Sequence, residues 1–471
     1  MTTDTLVSPA ASARPRTASG SAFLALLTRL HFYIGLFVGP FILVAAVTGT
    51  LFVLTPQLES VIYADQLRTD SIGTAQPLAA QVEAARARIG PGPRLFAVRP
   101  APGPGETTRV MFTQPGMGDS ESRALFVDPI TLAIKGDMVV YGTSGTLPFR
   151  TKLDYLHRNL MLGDLGRNYS ELAASWLWVA TLGGLVLWFA RRSRDKAAAR
   201  SPRLRARRWH GLLGLWIGIG LVFFSATGLT WSNWAGARVD QLRAQLGWIT
   251  PAVSLKLPAT GMPAAGSPAV PEGGEHAHHH GGQHDHAAMM MAPDNVASGF
   301  DRVLQAARQG GIDSSQLEIR PPRGEGQAWM VREVDRSWPT QVDTIAVDPS
   351  TYAITSRADF DTFPLIAKLI RWGVDMHMGI LFGWPNQLLM AAMGIALTAM
   401  IVLGYRMWWL RRPAAAAGHT LTQAWRDLSW PGRIATAAVA LALGWCLPVM
   451  GVSLAVFLVI DVLRWMVAKR A

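Results

Sequence analysis

Five stretches of this chain run for 19 residues or more with almost no charge: Phe23–Leu54, Leu172–Ala190, Leu212–Trp231, Leu388–Leu410 and Ile434–Leu463. A hydrocarbon core about 30 Å thick takes about 20 helical residues to cross. Each run is therefore a candidate membrane span, and an α-helical integral membrane protein is the expected class. Composition agrees, because half of the 471 residues are hydrophobic and only 16% are charged. The first run is too long for a signal-peptide core and follows a polar tail without a cleavage-site pattern, so it reads as a retained anchor.

Basic residues give the expected orientation, since cytoplasmic loops retain Lys and Arg. Residues 191–208 hold nine basic residues against one acid, Asp195. That loop reads as cytoplasmic, as do the tail with Arg14 and Arg16 and the segment with Arg411, Arg412, Arg426 and Arg433. The long stretches 55–169 and 234–385 then fall on the periplasmic side of a bacterial inner membrane. The net charge of +12 is accounted for by this asymmetry, whereas nucleic-acid binding calls for a basic face on a folded domain; no nucleic-acid partner is expected. The single cysteine, Cys446, excludes intrachain disulfides, iron–sulfur clusters and covalent haem attachment.

The chain also repeats itself. His31-x3-Gly35-Leu36-x2-Gly39, followed by Thr48-Gly49, recurs as His210-x3-Gly214-Leu215-x2-Gly218, followed by Thr227-Gly228. Val127-Asp128-Pro129-x-Thr131-x-Ala133-Ile134 recurs 220 residues later as Val347-Asp348-Pro349-x-Thr351-x-Ala353-Ile354, and the same shift carries His157 onto His377 and Gly163 onto Gly383. The unit is helix, external domain, histidine, helix. Each external stretch has a helical segment (82–86, 304–308), a short strand ending at Arg99-Pro100 or Arg320-Pro321, and further β-rich segments, so each reads as a small α+β module.

On a straight helix, offsets of 4, 8 and 18 residues fall within about 80° of the starting position. Gly35, Gly39 and Gly49 then share a face with His31, and a glycine stripe beneath an imidazole leaves room for a flat macrocycle. Close helix packing is the simpler alternative for such a stripe. Ligand-capable residues at membrane spans tend to be functional, and here four histidines form repeat-matched pairs: His31 and His210 near the cytoplasmic border, His157 and His377 near the periplasmic one. Two imidazoles saturate a haem iron and suit it to electron transfer. Two b-type haems, one near each face, are expected. Arg29 and Arg208, then Arg158 and Arg371, flank these histidines as possible partners of haem propionates, though ordinary interfacial anchoring is the alternative for each.

These motifs resemble the PepSY-associated transmembrane family over roughly residues 23–412, some of whose members are inner-membrane, two-haem ferric-siderophore reductases. The resemblance implies two periplasmic PepSY-like modules, haem ligation by His31, His157, His210 and His377, and reduction of a periplasmic ferric chelate for iron uptake. No G-x-G-x-x-G fingerprint or flavin domain is present, so the electron donor is expected to be a quinol or a separate flavoprotein.

The expected organisation is a tail (1–22), span 23–54, module 55–169, span 170–191, basic loop 192–208, span 209–233, periplasmic region 234–385 with linker 251–295, span 386–411, loop 412–432, and a C-terminal helix or hairpin (433–466). Pro448 and the trailing Arg464, Lys469 and Arg470 leave that last choice open. The linker carries His276, His278, His279, His280, His284 and His286, then Met289, Met290 and Met291, side chains suited to copper or another transition metal. Two rival functions follow: periplasmic metal handling without redox chemistry, and a PepSY-type regulatory or sensor role. A transporter ranks below both, because Asp461 is the one acid within an apolar run.

Overall fold

The computed structural model describes residues 19–118, 120–142, 144–191, 201–257, 297–410 and 420–470. Helix α1 (Ser19–Tyr33) passes through a π turn (Ile34–Val38) into α2 (Gly39–Val53). The wide turn sits where Pro40 has no N–H for the carbonyl of Leu36. The Tyr405 hydroxyl donates to that carbonyl instead, at 3.1 Å.

Helices α3 (Thr55–Ile62), α4 (Ala64–Leu67) and α5 (Leu78–Ile89) follow, then strands β1 (Arg94–Arg99), β2 (Thr108–Thr113), β3 (Glu121–Val127) and β4 (Ile134–Tyr141). Helix α6 (Pro148–Asn159) leads into the long α7 (Gly163–Arg191). The second half begins with α8 (Pro202–Thr230), α9 (Trp234–Gln245) and α10 (Phe300–Gln309). Strands β5 (Leu317–Arg320), β6 (Trp329–Glu333), β7 (Thr344–Val347) and β8 (Ile354–Ala358) precede α11 (Leu365–His377) and α12 (Trp384–Trp409). Helices α13 (Leu421–Arg426), α14 (Trp430–Cys446) and α15 (Pro448–Arg470) close the chain.

Among the described residues, five helices are long and apolar enough to cross a membrane: the continuous 22–53 segment, α7, α8, α12 and α15. The protein is a multi-pass membrane protein. The first four spans pack on one another, and α15 lies against α7. Large side chains such as Trp216 (83% exposed) and Ile219 (90% exposed) project outward from α8, which suits lipid and not water. Helices α7 and α8 begin earlier than the apolar runs do, because polar first turns (Asp164, Arg167; Arg203, Arg205) extend them beyond the apolar segment.

The last apolar run is a helical hairpin. The chain breaks at Leu447 (φ −122°, ψ 85°), the extended conformation favoured before a proline. At the tip, the Arg238 guanidinium of α9 stacks over Trp445 at 5.0 Å. At the far end, Asp461 accepts from Tyr33 Oη and from the backbone amides of Leu421 and Thr422. The acid within this span therefore caps α13.

Two separate modules are expected from the sequence, but the strands join into one antiparallel eight-stranded sheet of order β4-β3-β2-β1-β5-β6-β7-β8. The halves meet where Val98 pairs with Ile319. Pairing β1 with β5 removes an exposed edge from each half. It also creates one shared core in which Val82, Phe112 and Leu125 pack with Phe300, Ile319 and Val331. Beside this seam, buried Glu318 forms ion pairs with Arg99, Arg320 and Arg332, each at 2.7 Å. Asp301 ties the halves again by accepting from the Leu78 and Ala79 amides that open α5.

The Val-Asp-Pro motif is an architectural turn. Asp128 accepts from the Ile130 and Thr131 amides, and Asp348 from those of Ser350 and Thr351. Burial raises the Asp128 carboxyl, but the hydroxyls of Ser71 and Thr69 and the turn amides outweigh it and hold the group well below the ordinary carboxylate range.

Candidate functional site

The four spans run alternately, so α1 and α8 begin at the end where α7 and α12 finish. At that basic end the rings of His31 and His210 are neighbours, with centroids 6.2 Å apart and planes at 86°. At the sheet end His157 of α6 and His377 of α11 form a second pair, 6.4 Å apart with planes at 55°. Each pair takes one histidine from each half. Along the first span, His31 and Thr48 lie about 25 Å apart at 1.5 Å per residue, which puts the pairs at opposite ends of the bundle.

Each ring is held by Nδ1. His31 donates to the Ala180 carbonyl (3.0 Å) and His210 to the Met400 carbonyl (2.8 Å). A carbonyl has no proton to give, so Nδ1 carries the hydrogen and Nε2 keeps its lone pair. At the sheet end the partners are hydroxyls: Thr48 for His157 (3.0 Å) and Thr227 for His377 (2.6 Å). Those hydroxyls already donate to the Val44 and Phe223 carbonyls, so they accept from the imidazoles and leave Nε2 free here too. Burial lowers the His157 pKa below its ordinary value. Burial, and then His157 itself, pushes His377 down to about 3. Both shifts favour the neutral imidazole that metal ligation demands.

The geometry fits one metal between each pair. Once the ring radii are subtracted, the centroid separations leave room for roughly two metal–nitrogen bonds of about 2.0 Å each. Among the described residues, no three His, Cys, Asp or Glu side chains converge as a metal-holding group. Two opposed imidazoles suit a metal whose other positions a macrocycle fills, as in haem, whereas bare zinc commonly takes three or four protein ligands. At the basic end both histidines line a cavity of ≈ 950 Å³, at the large end of the about 300–1,000 Å³ typical of ligand pockets. A β-carbon on Gly35 would meet nothing within 4 Å.

The glycine stripe is divided between functions. The π turn inserts an extra residue, so the positions after Val38 no longer follow the straight-helix register with His31, although Gly39 still borders the His31 cavity. Gly39 makes room for the Tyr405 hydroxyl, and Gly49 lies against the ring of His157 at the opposite end. The glycines beside His31 and His210 are instead Gly184 and Gly404, on the partner spans.

Of the arginines, Arg208 lines the basic-end cavity together with Arg191, Arg203, Arg205 and Arg207, while Arg29 is not among its walls. Arg158 bonds the Tyr141 hydroxyl and stands 3.9 Å from Asp154; Arg371 pairs with Asp375 at 3.1 Å. Both line a small cavity of ≈ 90 Å³ bordered by α6 and α11. These two cations are engaged with protein acids, so ordinary structural pairing accounts for them as found. The histidines and methionines of 276–291 lie outside the described residues.

Sequence reasoning missed the residues that orient the rings. Thr48 and Thr227 were visible as repeat positions without a role. Ala180 and Met400 are 220 residues apart, as are Gly184 and Gly404, so the repeat carries this second set as well.

Comparison with known proteins gives one family: that described as PepSY-associated TM region, which matches residues 28–411. No curated protein matches the chain.

Proposed function

Since the chain belongs to the PepSY-associated TM region family, we propose that it is a bacterial inner-membrane electron-transfer protein with two b haems that reduces a periplasmic ferric chelate. The observation that carries the reading is the pair of neighbouring, Nδ1-tethered imidazoles at each end of the bundle. In this reading His31 and His210 hold one haem and His157 and His377 the other, with the basic end cytoplasmic and the sheet periplasmic. The two half-sheets correspond to paired PepSY-like modules.

Haem supplies reversible one-electron chemistry when bound. The chain's own residues do the rest. Tethered imidazoles need no reorganisation between oxidation states, because Ala180, Met400, Thr48 and Thr227 fix the rings in place. The walls at the basic end combine apolar side chains with arginines, and Arg208 at that cavity supplies positive charge for a propionate. A quinol or a separate flavoprotein is the donor. For a quinol the reaction balances as two electrons and two protons released per molecule, reducing two ferric ions to ferrous.

The deciding experiment is spectroscopy of the detergent-purified protein, with pyridine haemochrome assays of wild type and of His31→Ala, His157→Ala, His210→Ala and His377→Ala. Two b haems per chain, and one lost in each variant, is the expected result. A colourless protein from haem-replete cells removes the reductase reading and leaves metal handling or regulation.

A further inference from the structure

We infer that the two histidine pairs are built to hold their haems at different reduction potentials, the sheet-end pair being the higher, and that Thr48 and Thr227 set the difference. The inference rests on the haem reading above. What carries it is a contrast in the partner of Nδ1. At the basic end both partners are main-chain carbonyls, Ala180 at 3.0 Å and Met400 at 2.8 Å. At the sheet end both are threonine hydroxyls, Thr48 at 3.0 Å and Thr227 at 2.6 Å. The contrast holds in both halves of the chain, so it belongs to the repeat and not to one local packing accident.

A hydrogen-bond acceptor on the outer nitrogen of a metal-bound imidazole raises the basicity of the ligating nitrogen. An amide carbonyl, part of a peptide unit with a dipole of about 3.5 D, draws on that N–H more strongly than a hydroxyl oxygen does. The basic-end imidazoles are therefore the stronger electron donors and favour the ferric state more. At the sheet end the hydroxyl protons are committed to the Val44 and Phe223 carbonyls. The threonine oxygens thus orient the rings while adding less to their basicity.

Formal charge does not produce the same order. Arg191, Arg203, Arg205, Arg207 and Arg208 line the cavity of one pair, only Arg158 and Arg371 flank the other, and the acids Asp154 and Asp375 accompany only the latter. Both charge differences oppose a higher potential at the sheet end, so a more positive couple there is attributable to the second partner of the imidazoles and not to formal charge. With both groups bound, that order would favour electron transfer from the basic end, held by His31 and His210, to the sheet end, held by His157 and His377.

The test is a potentiometric titration of the purified full-length, haem-loaded protein followed by haem absorbance. Two couples are expected, the more positive being the one lost or displaced in His157→Ala. Thr48→Val and Thr227→Val, which take the acceptor away, should shift that couple to still more positive potential and leave the other in place. Thr48→Ser and Thr227→Ser should titrate like wild type. If the couple lost in His157→Ala is the more negative, or if haem-retaining valine variants leave it unmoved, the inference fails while the haem assignment stands. Protein that binds no haem overturns both.

Discussion

A β-carbon on Gly184 would stand 3.0 Å from Cε1 of His31, and one on Gly49 would stand 3.0 Å from Cε1 of His157. Contacts that short force the imidazole to move, and overpacking of this kind typically costs about 1–3 kcal/mol. On the two-haem reading proposed above, Gly184→Ala should therefore disturb the spectrum of the basic-end centre alone, and Gly49→Ala that of the sheet-end centre alone, each with a modest drop in melting temperature. Spectra in which either substitution alters both centres equally would contradict the assignment of these glycines. At this scale the sequence is half readable. Histidine, threonine and glycine carry distinctive chemistry and recur at fixed offsets, so they stand out. Main-chain carbonyls do not: Ala180 and Met400 share a function through their backbone and nothing through their side chains.

Among the elements, the seam between β1 and β5 concentrates the most charge. Burial raises the Glu318 carboxyl, but Arg332, Arg320 and Arg99 together outweigh it and hold the group well below its ordinary 4.5. Glu318 therefore contributes stability fully above the unfolded-state pKa of about 4.3, and that contribution is lost as pH falls through this value toward the lower folded one. Removing it leaves three arginines around a vacated site, so Glu318→Ala should cost about 3–5 kcal/mol, read as an earlier thermal transition at pH 7. As pH falls from about 4.5 to about 2.5 the wild type should lose stability faster than Glu318→Gln; parallel curves over that range would show that the carboxylate's ionisation is immaterial. The elements themselves were foreseeable from periodicity and turn chemistry, including the strands ending at Arg99 and Arg320. Their union in one sheet was not, since strand alternation reveals which face is buried and not which edge finds a partner.

For the whole molecule, the basic residues predict which end faces the cytoplasm, and labelling can test it. In a Cys446→Ala background, a cysteine replacing Ile72, which is 98% exposed on the sheet side, should react with a membrane-impermeant maleimide in intact spheroplasts. One replacing Arg203 should react only after permeabilisation. The reverse pattern would invert the proposed direction of electron flow. The spans were legible because lipid imposes a length rule on every helix that crosses it. The C-terminal hairpin was legible only as an alternative, because Pro448 permits either a kink or a reversal, and it is the contacts at its two ends that decide.

Each histidine is tethered within its own half of the chain, His31 to Ala180 and His377 to Thr227, yet it faces a histidine of the other half. A chain carrying only one such unit would thus hold a single prepared ligand for each site, and two copies related by a twofold axis would complete both. Joining the units in one polypeptide removes that need for self-association. It also frees the two ligands of a site to mutate independently, a freedom that a symmetric homodimer does not have.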